Sequence, residues 1–281
     1  MTVAASRPPV GALLREWRQR RRLSQFELAL QAGVSSRHLS YVETGRSRPS
    51  AEMVLHLAEQ LEVPLRDRNH LLLAAGYAPA FAQRELDAPE MGPVRDAIDQ
   101  VLHGHEPYPA LVVDRHWGLV AANRALGALL DGVAQELLKP PVNVLRLSLH
   151  PEGLAPRILN LEQWRAHLLE RLARDALASG DPALTALHDE FASYGDGEAR
   201  PSLDPAFGDI AVPLRLRHAE GELAFISTKT TFGTAIDVTV AELSIESFFP
   251  ADADTASAMH SLVRSVPGSS APSLRVSSQN G

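Results

Sequence analysis

The chain has 281 residues, a formal net charge of −7, 45% hydrophobic residues and no cysteine. That length suits two domains better than one, and the missing cysteines exclude disulfides, thiolate catalysis, cysteine-ligated zinc and cysteine redox sensing. The charge is uneven: residues 1–82 carry 11 Arg against 7 acids, or +4, and the remainder is −11, the balance of a nucleic-acid reader joined to a module with another task.

Pro8-Pro9 precede a predicted helix with Val10, Leu13, Leu14 and Trp17 on one face, ending in Arg18, Arg20, Arg21 and Arg22. Those cations fit either a solvated helix end or phosphate contact. Ser24, with Glu27 three residues on, forms a capping box for a second helix. Leu28, Ala32, Val34, Leu39 and Val42 give the apolar pattern, and Ala29 is small where helices would cross. Gly33 stands at the turn and Ser35 caps a third helix. The outward face of that helix holds Ser36, Arg37, Ser40 and Tyr41, followed by Thr44-Gly45-Arg46-Ser47-Arg48-Pro49. Ser50 caps a fourth helix through Met53, Val54, Leu57, Ala58 and Leu61; Pro64 breaks it. A fifth carries Leu65, Leu71, Leu72 and Ala75 and closes at Gly76.

The Ala-, Pro- and charge-rich stretch from Gly76 to Gly92 reads as a linker, with 78–92 separating the domains. A helix over Pro93–Leu102 then leads to His103-Gly104-His105. Pro109–Val113 and Leu119–Ala122 read as a hairpin around Asp114–Gly118, and Asn123 caps a helix with Leu126, Leu129 and Leu130. Leu161, Trp164, Leu168, Leu169 and Leu172 make a helical stripe, and the charges along 162–175 read as its solvated face. Asp181-Pro182 opens another helix, with Leu184, Leu187 and Phe191. The period then changes to two: Ile210–Leu216, Leu223–Thr228 and a run from Ile236 through Val240 towards Phe248 are predicted strands. This order predicts an α+β domain over 93–255, an antiparallel sheet with helices on one face. The tail 265–281 is too poor in apolar residues to fold.

LSQFELALQAGVS at 23–35 and YVETGRSRPS at 41–50 resemble the two signature stretches of the lambda-repressor/Cro-type, or XRE, helix-turn-helix family, and the likeness spans about residues 8–77. It implies an all-α five-helix DNA-binding domain over 8–77. Gln25 is then the residue that touches a phosphate and braces the recognition helix. Ser35, Ser36, Arg37, Ser40 and Tyr41 face the DNA, and Arg46 and Arg48 clamp the backbone. Arg37 is the best candidate for a guanine contact, since Arg reaches guanine through two hydrogen bonds. The second domain resembles a PAS-like sensor, and more closely the MmyB-like ligand-binding domain. HEPYPALVVDRHWGLVAAN at 105–123, NVLRLSLHP at 143–151, LEQWRAHLLERLARDA at 161–176 and STKTTFGTAIDVTVAELSIESFFPAD at 227–252 carry that likeness. It implies an effector pocket between sheet and helices for a small apolar or acyl-type molecule, lined or flanked by Trp117, Leu145, Trp164, Phe225 and Phe232. The same aromatic spacing is that of ordinary core.

The expectation is a cytoplasmic, homodimeric, sequence-specific transcription regulator. Its partners are an operator duplex and a small-molecule effector that shifts the DNA-competent state. No run approaches the roughly 18 apolar residues of a membrane span, no signal peptide opens the chain, and no membrane partner is expected. No cofactor is expected beyond a fatty-acyl or other small apolar effector. The His103–His105 pair lacks further ligands at metal spacing, so no metal site is assigned. No nucleophile elbow, phosphate loop or HExxH motif points to an enzyme. One alternative is a self-cleaving Ser–Lys repressor using Lys229 with Ser193 or Ser202 and an Ala75-Gly76 bond; another is a second domain that binds a protein partner.

Overall fold

The computed structural model describes residues 8–195, 211–219 and 221–265. It divides into two compact units. The first comprises residues up to Arg84 with Leu177–Gly180 and Thr234–Ala241; the second comprises Glu85–Ala176, Asp181–Gly233 and the chain from Glu242.

The first unit holds five helices: α1 (Val10–Arg20), α2 (Gln25–Gln31), α3 (Ser36–Glu43), α4 (Ala51–Gln60) and α5 (Leu65–Ala74). Three of them start on the serines picked out by spacing. The side chains of Ser24, Ser35 and Ser50 accept the backbone N–H of Glu27, His38 and Met53, and the Glu27 carboxylate returns to Ser24 N. That reciprocal bond, with the contact to the Ser24 hydroxyl, holds the Glu27 carboxyl below its ordinary value. Gly33, at φ +62°, makes the α2–α3 turn in the left-handed region that favours glycine. Leu14, Leu28, Leu39, Leu57, Leu61, Leu71 and Leu72 are fully buried together, each stabilising the unit by roughly 1.5–3 kcal/mol relative to exposure. Helix α1 approaches the end of α3 tightly at Gly11, which the sequence pattern did not mark. A Cβ there would lie 2.2 Å from the Val42 carbonyl oxygen and 2.8 Å from that of Glu43.

The second unit is built on a five-stranded antiparallel sheet. A single 3-10 turn (Pro89–Met91) precedes α6 (Gly92–Gly104), then β1 (Ala110–Val113), β2 (Leu119–Ala122), α7 (Arg124–Gly127), α8 (Val144–Leu149), α9 (Leu161–Ser179) and α10 (Pro182–Ala192). Next come β3 (Leu214–His218), β4 (Gly221–Thr231), α11 (Val238–Ala241, in the first unit), β5 (Ser244–Pro250) and α12 (Ala253–Ser265). Strand order is β2-β1-β5-β4-β3, so β1 pairs with a strand some 130 residues later, Leu111 opposite Glu246. Buried Asn123 ties this arrangement. Its Oδ1 accepts from Ala110 N and Leu126 N, and its amide donates to the carbonyls of Leu102 and Tyr108, which satisfies both ends of the side chain.

Several expectations are corrected. Helices cover both faces of the sheet, not one: Ile98 and Leu102 of α6 pack on Ala110, Val112, Ala121 and Ile245, while Leu145, Trp164, Leu168 and Met259 pack on the face of Leu111. All four residues of β1 are buried, as a strand covered on both sides requires. The alternation at Ile236–Val240 belongs to a helical turn, because Asp237 Oδ1 takes the Thr239 N–H and starts α11. Strand β3 begins only after Pro213, which has no N–H to give to a ladder; Ile210 lies outside the described residues. The helix after Asn123 is one turn long. The domain was expected to end at 255, yet α12 continues to Ser265 and sends Met259 and Val263 into the core. Residues 266–281 of the expected tail lie outside the described residues.

Candidate DNA interface and effector cavity

The face of α3 carries an aromatic residue set between two cations. Arg37 Nε donates to Tyr41 Oη at 3.0 Å, and the Arg37 and Arg46 guanidinium carbons lie 5.4 and 5.9 Å from the Tyr41 ring centre. Both terminal nitrogens of Arg37 are without a protein partner among the described residues, so its bidentate edge is available. Arg37 and Arg46 are exposed, and Ser36, Ser40 and Tyr41 are half-buried. Ser35 is exposed, but its hydroxyl is occupied as the cap. Arg48, also exposed, donates to the Ala75 carbonyl at the end of α5 and lies over Tyr77.

Beneath this face lies a buried polar network that sequence reading missed. Arg18 is neither a solvated helix end nor a phosphate contact. Its Nε and Nη2 bind both oxygens of Glu43 at 2.7 and 2.9 Å, its Nη1 donates to the Leu23 carbonyl, and Gln25 Nε2 donates to Glu43 Oε2 at 2.7 Å. The bond to Glu43 raises the Arg18 pKa, and burial only partly opposes it. Gln25 thus reaches the last residue of α3 from the first residue of α2. Arg21 serves another end, donating to the Leu61 and Glu62 carbonyls after α4.

In the second unit an apolar cavity lies between the sheet and helices α7–α9, with about 720 Å³ of atom-free space that is partly open to solvent. Leu111, Leu126, Leu145, Leu147, Leu168, Leu216 and Phe248 line it with Trp117 and Trp164. Trp117 has φ +65°, a left-handed conformation uncommon for so large a side chain and frequent at functional sites. A tight loop holds it. Asp114 Oδ1 accepts the N–H groups of His116 and Gly118, and the Trp117 carbonyl accepts Val144 N. Trp164 Nε1 donates to Ser148 Oγ at 3.0 Å.

One end of the cavity is charged. Arg171 donates through both terminal nitrogens to the Glu246 carboxylate, and its guanidinium lies 4.5 Å from the centre of the Trp117 ring. The two side chains are 14% and 5% exposed, so Arg171 is not part of a solvated helix face; neither is buried Arg165. Two signals for this pair were present. Arg171 falls seven residues after Trp164 on the apolar stripe, and Glu246 interrupts the apolar strand. His167, stacked on Trp164, has its pKa lowered by burial, then by Arg171 and Arg174.

Of the five residues expected at the pocket, Trp117, Leu145 and Trp164 line it. Phe225 is fully buried in the neighbouring core, and Phe232 packs on the opposite face of the sheet with the α6 cluster. The rings of His103 and His105 are bonded to the Asp99 and Phe248 carbonyls, and no three metal-ligating side chains converge among the described residues. Lys229 is exposed and the Ser193 hydroxyl donates to the Glu190 carbonyl; a lysine base needs burial to lower its pKa. Ser202 lies outside the described residues. No described helix is long and apolar enough to cross a membrane.

Comparison with known proteins bears on both units. Residues 94–262 match the family described as MmyB-like transcription regulator ligand binding domain, and residues 9–71 match a family described as helix-turn-helix domain. The chain is also similar to the uncharacterized HTH-type transcriptional regulator RghRB of Bacillus subtilis (strain 168), at 37% identity over 83 residues. That match covers 29% of this chain and 58% of the relative's length.

Proposed function

Since the chain belongs to the MmyB-like transcription regulators, we propose that it is a homodimeric, sequence-specific DNA-binding regulator whose second unit takes a small apolar or acyl-type effector. The observation that carries the effector half is the cavity, walled by leucines and two tryptophans against the sheet. Apolar enclosure with a few convergent polar groups is the usual character of a small-molecule site. The DNA half rests on α3, where Arg37 can read a base edge and Arg46 a phosphate. Effector binding shifts the population of DNA-competent dimers to the extent that it binds one state more tightly than the other.

Selection of the full chain against random duplexes tests this reading. It predicts an enriched near-palindrome with half-site centres about 10–10.5 base pairs, or a multiple of that, apart. Enrichment of no sequence, or of a lone half-site by a protein that stays monomeric in native mass spectra, would overturn it.

A further inference from the structure

The cavity's polar end is a neutral dyad, and this decides what head group it suits. Arg171 spends both terminal nitrogens on Glu246 and one face on Trp117. Among the described residues Glu246 has no other side-chain partner, and each carboxylate oxygen that Arg171 touches retains acceptor capacity. Both residues line the cavity, as do Ser148 and Ser227. Lys229, paired with Glu246 across β4 and β5, is exposed, 5.9 Å from the Trp117 ring centre, and is not among the residues that line the cavity. His167, the nearest histidine on α9, favours the uncharged form because of burial and the neighbouring arginines. The enclosed charges therefore sum to zero.

We infer that the cavity selects an apolar molecule with an uncharged, hydrogen-bonding head, a hydroxyl or a primary or secondary amide, over the matching carboxylate, and that Glu246 is the residue that sets this preference. A hydroxyl both donates and accepts, so it meets the free lone pairs of Glu246 and the remaining N–H groups of Arg171 together. A carboxylate only accepts; it must compete with Glu246 for Arg171 and stand beside a second carboxylate in a space that water screens poorly. Breaking the resident pair to admit it would leave Glu246 buried and uncompensated. The inference rests on the effector reading of this cavity.

The test uses the full chain and two probes of equal length, 1-decanol and decanoate, titrated at pH 7.5 by calorimetry and followed by tryptophan fluorescence. The expected result is at least tenfold tighter binding of the alcohol, with Glu246→Gln shrinking or reversing that ratio. Tighter binding of decanoate by the wild-type chain would overturn the inference while leaving the effector reading intact. An unchanged ratio in a folded Glu246→Gln protein would overturn the role of Glu246. Binding of neither probe would count against the effector reading and the inference together. The wild-type ratio decides the head-group preference even where the variant does not fold.

Discussion

Glu43→Ala probes how the recognition helix is held. The substitution removes a carboxylate whose side chain is 1% exposed and that accepts two bonds from Arg18 and one from Gln25. Among the described residues Arg18 then keeps only the Leu23 carbonyl, and its side chain, 10% exposed, becomes a buried charge without a counter-ion there. Breaking such a pair from one side costs about 3–5 kcal/mol. At about 1.4 kcal/mol per tenfold, amides of α1–α3 that open with the unit should exchange roughly a hundred to several thousand times faster. Hydrogen exchange by mass spectrometry on the full chain reads this locally. The double variant Arg18→Met with Glu43→Leu, which removes both charges, should recover most of the loss. A single variant whose α1–α3 exchange rises less than tenfold would refute the reasoning, because Arg18 would then have found water or another partner.

Further outcomes follow from other contacts. Gly11→Ala should lower the melting temperature and weaken operator binding, since the new Cβ would meet the Val42 carbonyl oxygen 2.2 Å away; unchanged melting would show that α1 can retreat freely. Arg37→Ala should cost about 1–3 kcal/mol and relax preference at one base pair, whereas Arg46→Ala should weaken all sequences alike and reduce the salt dependence by about one charge. Equal, sequence-independent losses for both would remove Arg37 as a base reader. Burial, with Arg171 and Arg174, puts the folded pKa of His167 below 6.5. The unfolded chain therefore binds this proton first as pH falls below 6.5, and stability is lost from there down through the folded pKa. Thermal melts at pH 7.5 and 5.5 should show a larger drop for wild type than for His167→Gln; equal drops would contradict the assignment.

Local signals were the legible ones. Serine caps, the glycine turn, the apolar stripe of α9 and the β1–β2 hairpin all depend on residues a few positions apart, and each appears where its spacing placed it. Long-range pairing was not legible. Nothing near Leu111 announces Glu246 as its neighbour, and the Arg18–Glu43 pair joins residues 25 positions apart. Misreadings arose where a short-range pattern had two meanings. Val238 and Val240 alternate as a strand would, but the Asp237 cap turns them into a helix. The charges of α9 share its apolar side as well as its wet one, so Arg171 went unnoticed as part of the cavity. Phe225 and Phe232 show the same ambiguity: an aromatic residue fills a core as readily as it lines a pocket.

The central claim is that occupancy of the cavity and binding of DNA are linked. The most direct measurement is fluorescence anisotropy of a selected operator duplex titrated with the full chain, with and without saturating amounts of whichever of 1-decanol and decanoate binds. The account predicts a change in operator Kd of about fivefold or more, the lower end of ordinary coupling between two sites, and the reciprocal change in probe affinity when operator is present. A probe that fills the cavity yet leaves the operator Kd within twofold would contradict it.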